Sequence, residues 1–110
     1  MHTIAYLFRR KPGMSKAQFL DHYERHREVM LNSAKGLISY EQYPILPHAG
    51  AGEIYLSGAS KPFDALSIYI YSSAEDAEHT TLLSEVIVDS QKFIDFDTMI
   101  SITATKNKVL

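Results

Sequence analysis

The chain has 110 residues, 45% hydrophobic and 22% charged, with a formal net charge of -2. This is the make-up of one globular domain with a real core and little surplus, and it excludes the basic footprint of a nucleic-acid or anionic-membrane binder. Cysteine is absent, which rules out a disulfide framework, a thiolate nucleophile and a thiolate metal site. No apolar run is long enough to span a bilayer, and residues 1–10 lack the hydrophobic stretch of a secretion signal. The expected location is therefore cytoplasmic.

Residues 2–9 favour a strand, with Ile4, Tyr6 and Phe8 on one face. Lys11-Pro12-Gly13 is a turn signal. Ser15, followed three residues later by Gln18, forms a capping box that starts a helix, and Lys35-Gly36 stops it near Asn32. A second strand, rich in β-branched and aromatic residues, covers residues 37–46 and ends at Pro47. Residues 47–62 gather Gly and Pro around the short apolar run Ile54-Tyr55-Leu56. They read as a long loop with room for a small hairpin, the kind of segment that often serves a site.

A third strand over residues 65–71 alternates Leu66, Ile68 and Ile70 against Ser67, Tyr69 and Tyr71. Ser73 caps a second helix, with Glu75 and Asp76 complementing its positive end. This helix breaks near Ser84 and resumes toward Phe93. A final strand covers residues 98–105. The order βαββαβ is the ferredoxin-like, split βαβ arrangement of an α+β fold, a four-stranded antiparallel sheet with two helical segments. The helices can cover one sheet face only, yet the strands carry large apolar side chains on both. A homodimer closing two sheets face to face removes the exposed patch. The whole chain, residues 1–110, reads as a single domain, without repeat or linker.

The run Arg9-Arg10-Lys11-Pro12-Gly13-Met14-Ser15, then Phe19, His22-Tyr23 and His26, resembles the signature of EthD-like proteins of the dimeric α+β barrel superfamily. Phe63-Asp64-Ala65 opening the third strand agrees with it, as does Asp89 followed by Phe93-Ile94-Asp95. The resemblance implies a dimeric α+β barrel, with relatives among polyketide cyclases, muconolactone isomerases, cofactor-free monooxygenases and haem-binding proteins. It also implies that His26 faces inward with Tyr23 as its companion. The tryptophan usual near the end of the third strand is replaced here by the region of Tyr69 and Tyr71, so a more polar pocket floor is expected.

The residues themselves point to proton transfer. At helical spacing Phe19, Tyr23, His26 and Met30 fall on one stripe, with His22 at its edge. An imidazole titrates near neutral pH, and a phenol can polarise a carbonyl. Tyr23 and His26 can equally be core residues with satisfied hydrogen bonds. His26 and Tyr23 are the expected catalytic groups, with His79 completing the set if it points inward from the second helix. Tyr6, Phe8, Phe19, His22 and Met30 are the expected substrate contacts.

Tyr40, Tyr43, Tyr69 and Tyr71 divide between pocket and dimer interface. His48 lies in the long loop near a pocket mouth, and His2 is terminal. Asp64 and Asp89 suit turn and helix-end geometry, and Arg9-Arg10-Lys11 reads as a solvated turn. His22 and His26 at i, i+4 miss the zinc-protease spacing by one residue, so no metal is expected.

The function expected from these features is a cofactor-independent lyase, cyclase or isomerase. It would shuffle protons on a hydrophobic polyketide-like or aromatic carbonyl compound as a homodimer. The alternatives are cofactor-free oxygenation of a phenolic substrate, or a non-catalytic or haem-binding dimer with His26 or His79 as axial ligand.

Overall fold

The computed structural model describes residues 1–46 and 62–110. Along them run β1 (His2–Arg10), α1 (Lys16–Ser33), β2 (Leu37–Pro44), β3 (Ala65–Tyr71), α2 (Ala74–Thr81), α3 (Ser84–Gln91) and β4 (Ile94–Ala104). The strands form one sheet in the order β2-β3-β1-β4, every neighbouring pair antiparallel. This is the ferredoxin-like fold expected from the element order. The expected loop with its apolar run, and His48, lie outside the described residues. No helix among the described residues is long and apolar enough to cross a membrane.

Local chemistry sets the element ends. Met14 N donates to Lys11 O at 3.1 Å, closing a turn with Pro12 second and Gly13 third. The φ of +84° at Gly13 is the reason that position suits glycine. Ser15 then caps α1: its side chain accepts from Gln18 N, while Gln18 Oε1 accepts from Ser15 N at 2.9 Å. Beyond α1, Gly36 sits at φ +66°, with Asp76 and Ser72 side chains pressed where a Cβ would stand. Ser73 caps α2 by accepting from Asp76 N at 3.1 Å.

Two boundaries differ from expectation. β4 starts at Ile94 rather than Thr98, because the β1–β4 ladder shifts register between Leu7 and Arg9 and re-forms through the pairs Arg9–Asp95 and Arg10–Ile94. β2 ends at Pro44 rather than residue 46, with Ile45 N still donating to Asp64 O at 2.9 Å just beyond it. The helical break is confirmed. Leu82 and Leu83 separate α2 from α3 just before Ser84, and Leu83 caps α3 without a side-chain hydrogen bond.

The helices lie on one sheet face. Phe19, Tyr23, His26 and Met30, the predicted stripe of α1, are all buried. They meet the buried residues of β3, which are Ala65, Ser67, Tyr69 and Tyr71. Leu66, Ile68 and Ile70 point the other way and are half-buried, in register with Leu7, Ala5 and Thr3 of β1. Ile100, Ile102 and Tyr43 extend that second face and are exposed. The apolar second face expected from the strand composition is thus present.

Asp64 fastens the sheet to the start of α1. Its carboxylate accepts from Arg10 N at 2.8 Å and from Lys16 Nζ at 2.9 Å, and its own N–H donates to Phe8 O at 2.9 Å. The structural role read for Asp64 from sequence agrees with this. The packing centre is Phe93, fully buried between α3 and β4. Its ring lies 5.7–6.3 Å from those of Phe8, Phe19 and Tyr23. Phe93→Ala should cost about 3–5 kcal/mol through lost burial and a residual cavity, read as a lowered urea midpoint. A loss below about 1 kcal/mol would remove Phe93 from the centre of the core.

Candidate active site between the helices and the sheet

The sequence builds a gap under its own helices. Along the helix-facing side of β3, small Ser67 stands beside large Tyr69 and Tyr71, and β1 contributes Tyr6 and Phe8. A cavity of about 260 Å³ opens between this floor and α1. Tyr23, His26 and Met30 reach it from α1, and Thr80, Val86 and Ser90 from the two short helices. Phe93, Phe96, Met99 and Ser101 complete it along the approach to β4 and the strand itself. The wall is predominantly apolar, and the one ionisable nitrogen base on it is His26.

His26 sits two turns beyond Phe19 on the buried stripe and is 4% exposed. Its Nδ1 donates to Asp89 Oδ2 at 2.6 Å. The other oxygen of Asp89 lies 3.5 Å from Lys92 Nζ, so the carboxylate is held from both ends. No group among the described residues bonds His26 Nε2, and no fully buried side-chain nitrogen or oxygen among them lacks a partner. Nε2 is therefore turned to the cavity that the ring lines. Burial lowers the His26 pKa from the ordinary imidazole value, outweighing the opposite pull of Asp89. The product is a neutral imidazole with a fixed tautomer and a basic lone pair facing an apolar space.

Tyr23 is placed differently. Its hydroxyl donates to Leu66 O at 3.1 Å and lies 2.6 Å from Ser67 Oγ. Burial pushes its pKa up to about 12. This phenol ties α1 to β3. Tyr69 stacks on Tyr40 with centroids 4.4 Å apart. Gln42 Nε2 donates to the Tyr40 hydroxyl at 2.7 Å and to Tyr23 O at 2.8 Å. Tyr69 and Tyr71 are both raised above the ordinary phenol range by burial. Both tyrosines line the cavity floor.

Of the expected substrate contacts, Tyr6, Phe8 and Met30 line the cavity. Phe19 and His22 do not. Phe19 is wholly enclosed among Phe8, Tyr23 and Phe93, and His22 stacks flat on Phe93 at 6.2 Å. His79 must also be corrected: it is exposed, because the buried side of α2 is formed by Ala77 and Thr80. Asp89 was read from sequence as helix-end geometry, whereas it is the partner of His26. The signal was available, since Val86 and Ser90 mark the inward face of α3 and Asp89 is an acid beside them. Among the described residues, no three His, Asp or Glu side chains cluster as a metal site would require.

Residues 11–97 match the sequence profile of the EthD domain, which covers most of the chain. The chain belongs to the EthD domain family. No curated protein sequence matches this EthD domain, but solved structures share its fold. One is a dimeric protein of unknown function and ferredoxin-like fold from Bacteroides fragilis, 6% identical over 94% of this chain and 93% of that one, TM-score 0.66. Another is a variant of SnoaB, a cofactor-independent oxygenase from Streptomyces nogalater, 11% identical over 99% and 95%, TM-score 0.65. A third is the hydroxynitrile lyase of Passiflora edulis, 12% identical over 99% and 95%, TM-score 0.66. At such identities the likeness is one of fold.

The lowered pKa of His26 has a pH signature. Below the ordinary imidazole value of 6.5, the unfolded EthD domain takes up a proton that the folded one resists, so stability falls toward acid. Urea midpoints should drop between about pH 7 and pH 5 more steeply for the native chain than for His26→Gln, which has no proton to take up. Equal slopes in the two proteins would contradict the burial of a neutral imidazole.

Proposed function

We propose that this EthD domain is a cofactor-independent enzyme that moves protons on a small, uncharged, hydrophobic carbonyl compound, as a lyase, cyclase or isomerase. The observation that carries the reading is the His26–Asp89 pair with its free nitrogen on an apolar cavity wall. Nε2 takes a proton from an acidic C–H or O–H of the substrate, leaving the electron pair on the substrate as an enolate or alkoxide. The imidazolium, stabilised by Asp89, returns that proton at another atom, so the protein ends as it began. Asp89 holds the ring and its tautomer, as a carboxylate does beside a catalytic histidine.

The cavity, about 260 Å³, falls just below the ~300–1,000 Å³ usual for ligand pockets, which suits a substrate of one or two rings. A cavity of this size favours such a substrate over a tetrapyrrole, which weighs against the haem reading. The Passiflora relative is named as a lyase, which supports proton-transfer chemistry on this fold. SnoaB is named as a cofactor-independent oxygenase and favours oxygenation as the second reading. The same base would there form a phenolate, and oxygen consumption on addition of a phenolic substrate separates the two.

The reading includes a homodimer. The face that carries Leu66, Ile68, Ile70, Ile100 and Ile102 is apolar, half-buried along β3 and exposed along β4, a patch of the kind that marks an interface, and the Bacteroides relative is described as dimeric. Sedimentation should give a dimer, and Ile102→Asp should shift it to monomer. A monomeric native protein would end that part of the proposal. For the chemistry, solvent deuterium exchange into a panel of small aryl ketones, followed by NMR, should fall about 10²–10⁴-fold in His26→Gln. Asp89→Asn should lower it as well. Exchange that survives His26→Gln unchanged would overturn the assignment.

A further inference from the structure

Several polar side chains on the cavity wall are spent within the protein. Tyr23 is bonded to Leu66 and Ser67. Tyr69 stacks on Tyr40 with its hydroxyl toward that of Tyr40, and the hydroxyl of Tyr71 faces Thr80. Thr80 in turn donates to Asp76 O at 2.9 Å and accepts from Lys35 N at 3.0 Å, and Thr81 donates to Glu78 O at 2.9 Å.

Tyr6 differs. Its ring packs edge-on against Tyr69, centroids 5.6 Å apart, and its hydroxyl has no hydrogen-bond partner among the described residues. None of the fully buried side-chain oxygens among them lacks a partner, so the Tyr6 hydroxyl opens onto the cavity that its ring lines. Across the β1–β4 ladder, Tyr6 stands directly opposite Ser101. Ser101 lines the same cavity, and its hydroxyl is likewise without a partner among the described residues. Ser90 is similarly placed on the helical side. The sheet therefore offers two neighbouring hydroxyl donors, and α1 offers one basic nitrogen. No Lys or Arg lies on the wall to meet an anion.

The geometry assigns Tyr6, with Ser101 beside it, as the hydroxyl that binds the carbonyl oxygen of an uncharged aromatic ketone. Tyr23 is left to hold α1 on the sheet. This deepens the proton-transfer reading and rests on it. A ketone oxygen accepts from Tyr6, the aromatic wall of Phe8, Tyr69 and Phe93 takes the planar ring, and the acidic hydrogen next to the carbonyl is left for His26. A carboxylate would enter an apolar space with no cation to offset its lost hydration. A hydrocarbon of the same shape would leave Tyr6 without a bond.

Binding of acetophenone, ethylbenzene and benzoate to the full chain, followed by ligand-observed NMR, tests this without turnover. Acetophenone should bind about tenfold more tightly than ethylbenzene, with benzoate weaker than acetophenone. Tyr6→Phe should remove the ketone preference and leave ethylbenzene unchanged, whereas Tyr23→Phe should keep it. As a second readout, the carbonyl carbon of labelled acetophenone should shift downfield on binding the native chain and Tyr23→Phe, but not Tyr6→Phe. Failure of acetophenone to bind overturns the assignment. So does benzoate binding as tightly as acetophenone, or a ketone preference that survives Tyr6→Phe or is lost in Tyr23→Phe. Selective ketone binding without deuterium exchange would leave Tyr6 in place and defeat the enzymatic reading alone.

Discussion

Rings from three parts of the chain converge on Phe93, and the rest of the molecule is arranged around that contact. Phe8 comes from β1 and Phe19, His22, Tyr23 and His26 from α1, while Phe93 stands where α3 passes into β4. Edge-to-face and tilted pairs of this kind fix relative orientation as well as burying area. They set the roll of α1 over the sheet, and that roll decides which side chains of the helix see the cavity. Lys11 N donates to Phe93 O at 3.0 Å, so the main chain beside the ring is held to the end of β1. The position of His26 is a consequence of this packing, since its ring meets the edge of Phe93 at 5.3 Å while Nδ1 reaches Asp89.

Much of this was legible in the order of residues because the relevant rules are local. The Ser15–Gln18 box, the Ser73 cap, the glycines at 13 and 36 and the two-residue alternation of β3 each depend on neighbours within a few positions. The buried stripe of α1 follows from helical spacing alone. Contacts between elements were harder. Asp89 is 63 positions from His26, and only the packing of α3 beside α1 makes them partners. The exposed setting of His79 followed from which side of an eight-residue helix met the sheet, and a helix that short shows two compatible faces. The fate of each tyrosine hydroxyl was beyond local rules altogether. Tyr23 and Tyr6 look alike as phenols, and the difference is whether Ser67 and Leu66 stand within reach.

The division of labour on the sheet explains why one small domain carries both an interior site and a bare apolar face. Aromatic and hydroxyl side chains go toward the helices, where rings leave gaps and hydroxyls need partners. Branched aliphatic side chains go to the opposite face. Ser67 serves both ends of this arrangement: its small size leaves cavity volume, and its hydroxyl satisfies Tyr23. Lys92 beside Asp89 adds a surface cation that steadies the carboxylate from the side away from His26.

The alternation along β3 has a further result for how the chain finds its fold. A slip of one residue between β3 and β1 would carry Leu66, Ile68 and Ile70 under the helices and send Ser67, Tyr69 and Tyr71 to the far side. The cavity would fill with aliphatic groups, Tyr23 would lose its acceptor, and three polar side chains would land among Ile100 and Ile102. Misaligned pairings are thus penalised on both faces at once, as a strand with a single patterned face would not be. A strand with this pattern excludes every slip by an odd number of residues, and the vacancy under the helices is part of what enforces this.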